Sequence, residues 1–190
     1  MHTPKPRFTQ LRQSRPARPK RSRPTRLTRT AVLMILVVSS ACSELAADSP
    51  LVEARRTPEA LARAALDAVV AGDDHALASL MITRDEYETL LWPSIPDRRH
   101  VPFAFVWSIT GPRSRKARTA AISEFRGLPL ELVRVELGDE IEEYEEFVLH
   151  RDARMWVRRT DTGAEGILPL MDVLVELNGG WKFLNFNDGN

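Results

Sequence analysis

Apolar side chains recur at helical spacing from residue 57 to about residue 126, and after Gly127 they follow the two-residue alternation of strands. Thr57-Pro58-Glu59 reads as a helix start, with Thr as N-cap, Pro at the first helical position and an acid in the first turn. Leu61, Ala65, Ala68 and Val69 then share a face, Leu66 lies beside it, and Gly72 ends the segment. Asp73 or Asp74 can cap a short second helix carrying Leu77, Leu80 and Met81. Thr83 and Glu86 have the spacing of a capping box and open a third helix, which turns Tyr87, Leu90, Leu91 and Trp92 inward before Pro93. Pro93, Pro96 and Pro102 bracket a loop. A fourth helical region runs from Phe103 to about Phe125, interrupted or kinked at Gly111-Pro112.

Five strands are expected next: Leu130 to Leu137, Tyr144 to His150, Ala153 to Arg159, Ile167 to Leu177 and Trp181 to Phe186. Gly138-Asp139, Arg151-Asp152, Asp161 to Gly163 and Asn178-Gly179-Gly180 separate them. Connections this short make hairpins, so the sheet should be antiparallel and the domain α+β. The last turn should place Val175 and Leu177 beside Trp181 and Phe183, with Gly179 and Gly180 supplying positive φ and Trp181 buried against the helices. There is no internal repeat.

Charge adds a destination. The 190 residues carry a net charge of +1, but it is segregated. Residues 1–30 hold ten Lys or Arg, five Pro and no acid, a composition too poor in apolar residues to build a core. Ala31-Val-Leu-Met-Ile-Leu-Val-Val38 is an unbroken apolar run ending in Ser39-Ser40-Ala41-Cys42. A basic arm, a short apolar segment and small residues have the order of a secretory signal, and the segment is well short of the roughly 20 residues of a spanning helix. The segment resembles a bacterial lipobox, with Ala41 before a lipidated Cys42, although Ser39 stands where an aliphatic residue is usual. Plain secretion with cleavage after Ala41, and an uncleaved or non-secretory segment, are the competing readings. Residues 1–41 are thus expected to be a signal with a long basic arm, 42–56 a tether and 57–190 the folded domain.

The arm alone could bind nucleic acid by neutralising phosphates. The remaining chain argues against that, since residues 43–190 hold 17 basic and 26 acidic side chains. A start assigned too far upstream accounts for the arm's length, because Leu27 to Cys42 would nearly suffice as a signal. The expected partners are a membrane, through Cys42, and an unidentified small ligand or envelope protein, with a homodimer also possible. The expected location is the periplasmic side of the envelope. No cofactor is implied. The lone cysteine excludes an intramolecular disulfide framework and a multi-thiolate zinc site.

Helices followed by a meander ending in Asn178-Gly179-Gly180-Trp181-Lys182-Phe183 resemble the nuclear transport factor 2-like superfamily. That resemblance implies a curved antiparallel sheet wrapped around helices as a cone with an internal pocket over residues 57–187. Trp92-Pro93, Phe105-Val106-Trp107, Ser114 and Val148-Leu149-His150-Arg151 also resemble a set of uncharacterised bacterial lipoproteins. Some members of the superfamily are isomerases or dehydratases using Asp and His, and others only bind or assemble. No enzymatic motif of the superfamily matches this chain residue by residue.

His150, near the end of a strand, could act as a general base if it faces a pocket, or could simply be satisfied by a neighbouring acid. Asp172, within an apolar run, is the other candidate acid or base. Alternation puts it on the face of Leu170, Leu174 and Glu176, which favours exposure. Trp107, Tyr144, His150 and Trp181 are the expected pocket lining. Asp139, Glu140, Glu142, Glu143, Glu145 and Glu146 crowd around a turn. They read as a charge-protected hairpin, since they lack the spacing of a calcium loop. Arg113, Arg115, Lys116 and Arg118 either pair with that hairpin or touch anions at a membrane surface. A binding domain is the leading functional expectation; the rivals are a pocket enzyme and a dimerisation module.

Overall fold

A computed structural model describes residues 48–96 and 100–186. The chain divides into a unit Met1–Cys42 and a unit Ser43–Asn190. The first lies outside the described residues, and with it fall the expected signal, the basic arm and Cys42. Within the second unit the order is helices then strands, as an α+β domain with two antiparallel sheets.

Helix α1 (Pro58–Ala71) starts where Thr57 Oγ1 accepts the Ala60 N–H at 3.1 Å and ends at Gly72, whose φ of 75° is left-handed. Helix α2 (Asp74–Ser79) is capped by Asp73. Helix α3 (Arg84–Glu86) opens with the full reciprocal capping box of Thr83 and Glu86. It continues as a π-helical turn over Tyr87–Leu91 and a 3-10 turn over Trp92–Ser94. Helix α4 (Phe103–Phe125) runs unbroken through Gly111-Pro112, so of the expected interruption or kink the interruption does not occur. Pro112 lacks the N–H that would bond the Ser108 carbonyl. Ser114, Ala117, Ala121 and Phe125 recur at helical spacing on its buried side.

The strands are β1 (Leu130–Glu136), β2 (Ile141–Glu143), β3 (Val148–His150), β4 (Arg154–Arg159), β5 (Glu165–Leu168), β6 (Met171–Leu177) and β7 (Gly180–Phe186). Where the sequence suggested one sheet, they form two, in the orders β1-β4-β5 and β2-β3-β6-β7. Every second connection is a hairpin, and the others pass from one sheet to the next. Pro169 splits the expected strand Ile167–Leu177 into β5 and β6, since proline cannot donate to a ladder. The β1–β2 and β3–β4 crossings run hard against each other. A Cβ on Gly138 would collide with the Arg151 carbonyl oxygen and lie 2.8 Å from Asp152 Cβ.

The last hairpin corrects the expected register. Its turn has two residues, Asn178 and Gly179, with φ of 48° and 70°. Gly180 belongs to the strand and pairs with Leu177, so Glu176 faces Trp181, Val175 faces Lys182 and Leu174 faces Phe183. A one-residue slip exchanges the faces. Val175 and Leu177 therefore lie opposite Trp181 and Phe183, not beside them.

Both faces of the four-stranded sheet are covered. On one, Leu174, Trp181 and Phe183 join α1, α2, the C-terminal half of α4 and the inner side of the three-stranded sheet. On the other, Leu149, Val173, Val175 and Leu177 meet Tyr87, Leu91 and Phe103. Leu51 and Ala54 are buried in this second cluster. Arg55 exchanges both backbone hydrogen bonds with Trp181, at 3.1 and 2.7 Å, and Ser49 Oγ donates to the Leu177 carbonyl at 2.8 Å. Residues 48–56 thus line the free edge of β7 and belong to the domain, although the composition had suggested a tether reaching residue 56.

Candidate functional site

Lys182, carried by β7 to the second cluster, is 1% exposed, and Glu86 at the end of α3 is 6% exposed. Lys182 Nζ donates to Glu86 Oε1 at 3.1 Å, to Glu86 Oε2 at 3.0 Å and to the Val52 carbonyl at 2.9 Å. Three acceptors meet the three protons of an ammonium group. The Glu86 oxygens also accept the Val52 and Thr83 N–H groups, both at 2.7 Å. Burial opposes the charge on Glu86, but the Thr83 amide, Lys182 and the Val52 amide outweigh it and hold the carboxyl below its usual range. Burial draws the Lys182 ammonium down from the usual lysine range, with Glu86 working against it. This centre ties the N-terminal segment, α3 and the last strand together. Sequence reading missed it because it singled out only the Trp181 side of the last strand, whereas the face of Lys182, which pairs with Val175, is buried as well.

His150 and Trp181 do come together, with ring centroids 4.7 Å apart, on the opposite face of the same sheet. His150 Nε2 lies 3.2 Å from Glu176 Oε2, and His150 is 8% exposed. Its Nδ1 is buried without a hydrogen-bond partner among the described residues. A general base needs one nitrogen open to the reacting proton. Here one nitrogen meets a carboxylate and the other is enclosed, an arrangement suited to packing.

Trp107 and Tyr144 belong to the other cluster. Tyr87 packs against Trp92, Phe103 and Trp107 at centroid separations of 6.2, 5.8 and 6.0 Å, and Tyr144 stacks on Phe147 at 4.5 Å. The four residues expected to line one pocket are therefore shared between two faces of a sheet. Asp172 is half-buried, and its Oδ2 accepts from Asn185 Nδ2 at 3.2 Å. It does not converge on His150 through any hydrogen bond among the described residues.

No family model, no curated protein and no solved structure matches this chain. The site therefore has to be judged on its own chemistry. Among the described residues no three His, Cys, Asp or Glu side chains are grouped so as to hold a metal ion.

Some of the surface charges form local pairs. The acidic turn folds back on Arg151, which binds Glu142 and lies 3.5 Å from Glu140, while Tyr144 Oη donates to Glu142 at 2.8 Å. The Arg151 hydrogen bond is the largest of the effects holding Glu142 below the usual carboxylate range. In the basic group on α4, Arg118 binds Asp74 through Nε at 2.9 Å and Nη2 at 3.2 Å. That hydrogen bond leads the effects lowering the Asp74 carboxyl. Among the described residues no ion pair joins the acidic turn to the basic group on α4, so of the two expectations for that group, pairing with the hairpin does not occur.

Proposed function

We propose that this chain is an exported protein of the bacterial cell envelope, anchored by lipid on Cys42, whose α+β domain binds a ligand or partner without catalysing a reaction. The observation that carries the reading is Cys42 standing directly after the apolar run Ala31–Val38 and the small residues Ser39-Ser40-Ala41. Several acyl chains on one cysteine would give stable anchoring, at about 0.8 kcal/mol per buried methylene. Binding is favoured over catalysis because neither of two buried ionisable groups, Lys182 and His150, presents an open reactive atom. Lys182 spends its three protons inside the fold, and His150 shows one nitrogen to Glu176 and encloses the other.

A relation to the nuclear transport factor 2-like superfamily accords with the order of helices before strands and with the closing Gly-Gly-Trp hairpin. The test of the anchoring is Cys42→Ser in cells. The variant should move from the membrane fraction to the soluble fraction and lose incorporation of a labelled fatty acid. Unchanged fractionation with no labelled fatty acid on the parent protein overturns the reading.

A further inference from the structure

Helix α4 presents to solvent a stripe that the fold does not use. Phe105 is 60% exposed and Ile109 41%, one turn apart on the side opposite Ser114, Ala117 and Ala121. Pro112 and Lys116 continue the stripe at helical spacing, and Arg113 flanks it; all three are exposed. Helix α4 carries no acid from Phe103 to Ser123, although the chain beyond Cys42 has an excess of acids. Among the described residues no carboxylate lies within ion-pair distance of Arg113 or Lys116, whereas Arg118 on the inner flank is taken up by Asp74. Unpaired cations beside exposed apolar side chains are attracted to the headgroups of an anionic bilayer, where the apolar groups can reach the acyl boundary.

We infer that this face of α4 rests on an anionic lipid surface, with Phe105 and Ile109 among the acyl chains and Arg113 and Lys116 on the headgroups. The inference rests on the lipid-anchor reading for the nearness of the membrane. Six peptide units join Cys42 to Asp48, a reach of at most about 20 Å. The chain then enters the domain at Leu51, in the same buried cluster as Phe103 at the start of α4. An anchored domain on so short a connection samples the bilayer continually. Charge complementarity favours this basic face in a domain whose acids outnumber its bases.

The test uses the full chain with Cys42→Ser, which leaves no other thiol, and adds Ile109→Cys carrying an environment-sensitive fluorophore. Vesicles of phosphatidylglycerol and phosphatidylcholine should shift the emission to the blue; vesicles of phosphatidylcholine alone should not. A label placed by Glu165→Cys on β5 should stay unchanged with both, which separates contact by α4 from attachment through the basic arm. Arg113→Gln with Lys116→Gln should weaken the lipid dependence of the Ile109 signal about thirtyfold, at roughly fivefold per cation. An unshifted label at Ile109, or equal shifts at both positions, overturns the inference. Because the probe protein has no lipidated cysteine, failure here leaves the fractionation result for Cys42 standing, and failure there leaves this result standing.

Discussion

At the scale of single residues, the most consequential contact is the enclosed pair of Glu86 and Lys182. Removing one member of a buried ion pair costs about 3–5 kcal/mol, because the charge left behind has lost both water and partner. The two members are not equivalent. Without Lys182, Glu86 would keep the Val52 and Thr83 amides; without Glu86, Lys182 would keep only the Val52 carbonyl. Glu86→Leu should therefore lower the denaturant midpoint more than Lys182→Met, and the double variant should lose less than the sum. A double variant as destabilised as the sum would mean that the two groups act independently. The same pair sets a pH dependence. The Glu86 carboxyl titrates lower in the folded chain than its ordinary value of 4.5. Its stabilisation is complete above that value and is lost as the pH falls through the lower folded value. Stability measured across this acid window should fall less steeply in Glu86→Leu than in the parent protein.

At the scale of elements, the β6–β7 hairpin shows how three adjacent small or polar residues divide two different tasks. Asn178 and Gly179 adopt positive φ, whereas Gly180 lies in the strand against the N-terminal segment. A Cβ on Gly180 would collide with the Ser49 side chain and stand 3.0 Å from Ala54 Cβ. A Cβ on Gly179 would meet nothing within 4 Å, so only its backbone conformation resists substitution. Gly179→Ala should cost about 1 kcal/mol through φ. Gly180→Ala should instead loosen residues 49–55, seen as faster amide exchange at Arg55 and Trp181, whose N–H groups bond to each other's carbonyls. Slow exchange at both positions in Gly180→Ala would show that the segment accommodates the extra methyl group.

At the scale of the whole molecule, charge is segregated along the chain. Residues 1–30 hold ten basic side chains and no acid, while Leu27 to Cys42 retains Arg29 and the whole apolar run. Deleting residues 2–26 should leave export unchanged, as judged by how much protein resists protease in intact cells and becomes sensitive when the outer barrier is opened. Loss of export would make the long arm part of the signal. No helix among the described residues is long and apolar enough to cross a membrane.

The sequence by itself determined what depends on near neighbours. Thr57, Thr83 and Gly72 fixed the ends of helices because caps act within four residues, and alternating Val, Leu and aromatic positions fixed most of the strands. The α+β class follows from their order. Tertiary structure alone decided what depends on distant partners. The same strand pattern suits one sheet or two, since alternation records which side is buried and not which strand is adjacent. Pro112 inside α4 was tolerated because the helix is held at both ends, by Phe103 in one cluster and by Ala117, Ala121 and Phe125 in the other. The buried centre was the least legible part. Glu86 was legible only as a capping residue, and nothing in the strand pattern singled out Lys182. Only a two-residue turn, which sets the register of β7 against β6, brings that ammonium group to the carboxylate 96 positions earlier in the chain.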